Sequence, residues 1–249
     1  MEGHRSSSSR CTSFAEHLRG GDTLVGTVVT LPSVAVAELV AEPLDFVWID
    51  LEHGVLDVRD VAPLAIAARA AGAAALARLP HADGPGLAAI LDAGVDGVVA
   101  PRVESAREAE RLVERLRHPP HGRRGAAVRR AQRYGRAPAA EPLCLAQIES
   151  AAGVAAAAEI AAVDGVDALV VGCADLAQTF DGTLPDAIEE VQRAARDGGI
   201  ASGVAGPDDP ELLLALAAGE STVLVCSADV RLFARAVDAV AEELDRVRA

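Results

Sequence analysis

The feature that most narrows what this chain can fold into is an alternation repeated eight times. Short apolar runs of β character at 24–30, 46–50, 74–79, 96–100, 143–148, 167–172, 200–205 and 222–227 are separated by longer, Ala-rich stretches. Most of these runs, such as FVWID and DALVVG, are continuously apolar, as parallel strands covered on both faces require. The clearest helical patterns between them lie at 58–71, 105–117, 151–162, 186–197 and 228–248, each beginning or ending in Asp, Ser, Pro or Gly. Eight strand–helix units in 249 residues, without a linker-like break, predict an α/β fold: a single-domain (β/α)₈ TIM barrel. A doubly wound open sheet is the alternative, weakened by the lack of G-x-G-x-x-G after the first strand. The phrases AGVDG (93–97) and VDGVD (163–167) read as helix C-cap glycines leading into strands, which concerns fold and not function. Residues 1–21 are expected to form a flexible lead-in and first helix, and 22–249 the barrel.

Composition removes several kinds of chemistry. The chain contains no lysine, which eliminates a lysine Schiff base and a P-loop lysine. A net charge of −14 makes nucleic acid and anionic membranes poor partners, since both carry the same sign. Aromatic residues are 2% of the chain, so Ala, Val, Leu and Ile must build the core. The four cysteines are dispersed without a CxxC pair, which suits a reducing compartment. The start, MEGHRSSSSR, lacks a signal-peptide apolar stretch, and no long uncharged apolar run is present. A cytoplasmic protein is therefore expected.

In a barrel of this kind the reactive groups lie at the C-terminal ends of the strands. Four such ends carry polar residues: Asp50, Glu52 and His53 after the second strand, Arg78 after the third, Gln147 and Glu149 after the fifth, and Asp175 after the sixth. Glu149 and Asp175 are candidate oxygen ligands for a divalent cation, which commonly takes one or two carboxylates and completes its shell with water and substrate. A 2-oxo acid would chelate such a cation, which would polarise its ketone and favour an enolate. Arg78 is a candidate for holding the enolate oxygen or a substrate carboxylate. His53 suits proton transfer near neutrality, with Asp50 three residues earlier as a candidate to orient its ring. Each piece alone has an ordinary structural explanation, such as a loop pair or a helix-capping acid. Their conjunction at four strand ends points to a site.

The segments GTVVTLPS (26–33), FVWIDLEHG (46–54), ARLPH (77–81), LDAGVDGVVAPRVESAREA (91–109), HPPHGRRG (118–125), QIESAAGV (147–154), IAAVDGVDALVVGCADLA (160–177) and GESTVLVCSADVRL (219–232) together resemble the HpcH/HpaI aldolase family. That resemblance implies a class II, divalent-metal-dependent aldehyde-lyase that cleaves 4-hydroxy-2-oxo acids to pyruvate and an aldehyde. Oxaloacetate decarboxylation would be a side activity. It implies Mg²⁺, Mn²⁺ or Co²⁺ on Glu149 and Asp175, no organic cofactor, His53 with Asp50 as acid/base, and Arg78 on the enolate. Gln147 and the loop residues Gly172, Cys173 and Ala174 would contact the substrate. It further implies a homo-oligomer, a hexamer built as a trimer of domain-swapped dimers. Cys173 stands where the family commonly has Pro, and Arg102 where an apolar residue is commoner; the segment after Asp175 and the C-terminus are shorter than usual. A citrate-lyase-like acyl-CoA lyase and a non-catalytic barrel that binds 2-oxo acids are the alternatives.

Overall fold

The computed structural model describes residues 13–138, 140–217 and 219–248; of the lead-in and first helix expected over 1–21, residues 1–12, with Cys11, lie outside them. Eight parallel strands close into a barrel in chain order: β1 (Leu24–Val29), β2 (Phe46–Asp50), β3 (Ala74–Arg78), β4 (Gly97–Ala100), β5 (Leu143–Ile148), β6 (Ala168–Gly172), β7 (Ala201–Ala205) and β8 (Val223–Ala228). The helices are α1 (Phe14–Arg19), α2 (Val34–Ala41), α3 (Val58–Ala71), α4 (Leu87–Asp92), α5 (Ala106–Leu116), α6 (Ala151–Ala155), α7 (Ala157–Ala161), α8 (Cys173–Thr179), α9 (Leu184–Gly198), α10 (Pro210–Ala217) and α11 (Asp229–Arg248). The predicted (β/α)₈ barrel is the observed fold. Among the described residues no helix is long and apolar enough to cross a membrane.

Two cores follow from the continuous apolar runs, because residues of one strand point alternately inward and outward. Inside the barrel, Phe46 and Trp48 of β2 pack with Leu76, Leu145, Val170 and Val225. Truncating either aromatic to Ala would cost roughly 3–5 kcal/mol, given how completely both are buried. Outside, the strands meet the helices through small side chains such as Ala65, Ala68, Ala161 and Ala195, so the helices lie close to the sheet. The expected helix over 151–162 is two helices that meet at Ala156, which ends the first and begins the second. Four helices (α2, α4, α8 and α10) were absent from the clear sequence patterns. α4 starts at Gly86 without a side-chain cap, and α8 follows β6 with no intervening loop, so neither carries a start signal.

The seam between β1 and β8 is tied at the top by Asp229. Its buried carboxylate accepts from the Thr30 amide at 3.0 Å, the Thr30 hydroxyl at 2.6 Å, the Leu31 amide at 3.0 Å and its neighbour Val230 at 2.8 Å. Charge-assisted hydrogen bonds of this kind are roughly twice as strong as neutral ones. They fix the loop after β1 against the end of β8.

Candidate active site

A cavity of about 360 Å³ opens at the C-terminal ends of the strands, where Trp48, Asp50, Arg78, Gln147, Glu149 and Asp175 are among its lining residues. His53, Gly172, Cys173 and Ala174 also line it, so the candidate catalytic, metal-ligating and substrate-contacting residues reach one space, while Glu52 lies behind Arg78 and outside the lining.

Strand register explains the firmest contact. Asp50 and Arg78, the last residues of β2 and β3, are direct partners in the parallel ladder. The guanidinium donates from Nε to Asp50 Oδ1 at 2.8 Å and from Nη2 to Oδ2 at 2.6 Å, a two-pronged pair that fixes its plane. Arg78 Nη1 also lies 3.2 Å from Glu52 Oε2, an ion pair without hydrogen-bond alignment. The guanidinium stands over the Trp48 ring, 5.6 Å from its centre. Burial alone would lower the Arg78 pKa, but the bonds to Asp50 and the charges of Asp50, Glu52 and Glu149 outweigh it and raise it. Arg78 is thus a permanent cation at the cavity floor.

One expectation needs correcting. Asp50 does not orient the His53 ring. Its carboxylate is taken up by Arg78, and Oδ1 also accepts the Glu52 and His53 backbone amides at 3.0 and 3.3 Å. The register sets a guanidinium directly beside Asp50, and the turn that follows carries the imidazole away. His53 instead has Glu52 Oε2 3.8 Å from Nε2, with 64% of its side chain exposed. Glu52 belongs to the site, a role that its place in the sequence showed but its chemistry did not. Burial, first, and the charges of Asp50 and Asp175 raise its pKa against the pull of Arg78 and His53.

Glu149 is buried just past β5, with both oxygens engaged by neutral donors. The Arg102 amide donates to Oε1 at 2.9 Å, and Gln147 Nε2 donates to Oε2. Burial, together with the charges of Glu52 and Asp175, pushes its pKa up to about 7. Gly172 is a requirement of this packing: a Cβ there would fall 2.6 Å from Gln147 Nε2 and 2.7 Å from Glu149 Oε2. Asp175, in the first turn of α8, is more open, with Gln178 Nε2 at 3.4 Å from Oδ1. Cys173 begins that helix, buried, and its thiol is pushed up to about 11 by burial. At neutral pH that thiol is held in its protonated form.

These donors suit a hard divalent cation. Glu149 is buried, and the charges of Glu52 and Asp175 act against its ionised form, an unfavourable interaction that a cation between them would relieve. Among the described residues no group of three or more His, Cys, Asp or Glu side chains is arranged to hold a metal. A cation on Glu149 and Asp175 would thus take its remaining ligands from water and substrate, as Mg²⁺-type ions commonly do.

The HpcH/HpaI aldolase/citrate lyase family model matches residues 32–229. A pyruvate aldolase of Rhizobium etli is 34% identical over 92% of this chain and 95% of its own. A 4-hydroxy-2-oxovalerate aldolase of Rhodococcus jostii is also 34% identical, over 96% of this chain and 98% of its own. The crystal structure of a family protein from Burkholderia cenocepacia superposes with a TM-score of 0.85 at 31% identity, covering 94% of this chain and 98% of the other. With its barrel, the charged groups at its strand ends and these likenesses in view, the chain belongs to the HpcH/HpaI aldolase/citrate lyase family.

Proposed function

We propose that this protein is a class II aldolase that reversibly cleaves a 4-hydroxy-2-oxo acid to pyruvate, or a related 2-oxo acid, and an aldehyde. The observation that carries the reading is the convergence of Glu149, Asp175, Arg78 and His53 on one cavity. The names of the aldolase relatives support it. Glu149 and Asp175 would hold Mg²⁺, Mn²⁺ or Co²⁺, which supplies Lewis acidity toward the substrate ketone. Gln147 and the backbone of Gly172, Cys173 and Ala174 bind and orient the 2-oxo acid. His53 takes the proton from the C4 hydroxyl, the C3–C4 bond breaks, and its electron pair passes into the enolate as the aldehyde leaves. Arg78, its plane fixed by Asp50, holds the negative oxygen. A proton from water adds at C3 to give the 2-oxo acid, and His53 releases its own proton to solvent to close the cycle. Oxaloacetate decarboxylation passes through the same enolate and is the expected side activity.

Assembly belongs to the same proposal. Among the described residues of α11 only Asp229 is buried, whereas Phe233, Val237, Val240 and Leu244 form an exposed apolar stripe at helical spacing. That stripe supports a homo-oligomer, with the hexamer implied by the family resemblance as the expected size. The cysteine usage supports a cytoplasmic setting.

The deciding experiment is a pyruvate-release assay on a panel of 4-hydroxy-2-oxo acids, with an acyl-CoA thioester as a further arm. EDTA and re-addition of Mg²⁺, Mn²⁺ or Co²⁺ complete it. Metal-restored release from a hydroxy-oxo acid is expected; full activity in thorough EDTA, or turnover of the thioester alone, overturns the reading.

A further inference from the structure

Arg102 has no part in the reaction described above, yet it lies against both proposed metal ligands. It follows β4, and its φ of 51 places a residue with a side chain in the left-handed region, an uncommon conformation for anything but glycine. The turn lets the Arg102 amide reach Glu149 Oε1 at 2.9 Å. The side chain folds back over the same place. Its Nε lies 4.0 Å from Glu149 Oε1 and its Nη2 lies 3.7 Å from Asp175 Oδ1. One guanidinium thus spans the two carboxylates. The other cation beside them, Arg78, is committed to Asp50 and Glu52.

We propose that the Arg102 side chain is the resident counter-ion of the Glu149–Asp175 pair, and that a divalent cation binds there by displacing it. The inference rests on the metal reading above. A guanidinium and a divalent ion compete for the same oxygens, so each weakens the hold of the other. At 65% exposure the side chain can turn out to solvent at little cost, while the amide stays on Glu149 in both states. The residue therefore divides its work. The backbone fixes the ligand oxygen, and the side chain occupies the site until metal arrives.

The test is a direct Mn²⁺ titration of the full-length protein, by electron paramagnetic resonance of free Mn²⁺ or by calorimetry. Arg102→Met keeps the amide and removes the competing charge. Two long ion pairs made by a largely exposed guanidinium imply tightening of roughly threefold to thirtyfold. Arg231→Met is the control: that guanidinium lines the cavity but is paired with Asp208, and its loss should change Mn²⁺ affinity less than about twofold. Thermal melts give an independent readout, with a larger Mn²⁺-induced rise in Tm for Arg102→Met than for wild type. Should that variant fold poorly by circular dichroism, Arg102→Gln serves the same comparison. Equal affinity in wild type and variant, or equal tightening in Arg231→Met, overturns the displacement idea and leaves the metal reading standing. If neither wild type nor variant binds Mn²⁺ at all, the metal reading falls and takes this inference with it.

Discussion

The floor and the rim of the cavity are built on different principles. At the floor, Asp50, Arg78 and Gln147 sit within strands, and ladder register determines who touches whom. At the rim, His53 and Asp175, with Arg102 beside them, sit on turns or on the first turn of a helix, with looser contacts and more exposure. Arg78 and Arg102 make the contrast within one residue type. Arg78 is 12% exposed, with a two-pronged hydrogen bond to its carboxylate; Arg102 is 65% exposed and reaches its carboxylates at 3.7 and 4.0 Å. A group that must stabilise charge the moment it develops is best held rigid, because reorganisation then costs nothing. A group that must let metal, substrate or a proton come and go is better held loosely.

The largest expected effect tests whether the two regions meet at one centre. Glu149→Ala and Asp175→Ala should each abolish metal-dependent turnover while far-ultraviolet circular dichroism stays native, since each removes one of the two proposed protein ligands. Substantial activity in either variant would detach the metal from the floor–rim junction. Next come the two proton- and charge-handling groups, which should separate by reaction. His53→Ala should lower kcat/KM for aldol cleavage by about 10²–10⁴ and spare oxaloacetate decarboxylation, which has no C4 hydroxyl to deprotonate. Arg78→Ala should lower both by about 10²–10³. It should also destabilise the fold by roughly 3–5 kcal/mol, because Asp50 is left buried without its cation. Equal losses for His53→Ala in the two reactions would reassign the histidine to binding or to protonation of the enolate.

Assembly is the third test. Light scattering should return a species several times 25.5 kDa, and Phe233→Asp with Val237→Asp should shift it toward that mass without unfolding the barrel. A wild-type monomer at micromolar concentration sinks the proposal. The smallest effect concerns thiols. Burial pushes Cys144, in the barrel wall, up to about 12 and Cys173 up to about 11, so at pH 8 almost no thiolate is present at either. Cys226 is raised too but only partly buried, and among these three it should react first with a disulfide reagent. Rapid labelling of Cys144 in the native protein would show that β5 opens readily.

What the sequence disclosed follows the same division. Each strand was readable because a strand buried on both faces must be apolar throughout, and that leaves an unbroken run. The floor residues were readable because they are polar interruptions at the ends of those runs. Contacts across elements were not. Nothing in D-L-E-H says that Asp50 turns to a neighbouring strand, because register appears only once β2 and β3 are side by side. Arg102 was visible as a departure from the family resemblance, but its position over Glu149 depends on a backbone torsion that Pro101-Arg102 does not announce. The short helices α4 and α8 escaped for a related reason, since tertiary packing, and not a local cap, holds them.

The Asp229 clasp has a consequence for how the chain comes to be active. Its bonds to Thr30 join residues 199 apart, so the ring cannot be fastened until β8 has been made and docked. Contacts this distant in sequence carry the loop-closure entropy of nearly the whole ring and tend to form late. Thr30 lines the cavity that Asp229 helps to shape. On the ribosome, therefore, the nascent chain would carry most of its reactive side chains long before it had a pocket to put them in, and chemistry would begin with closure.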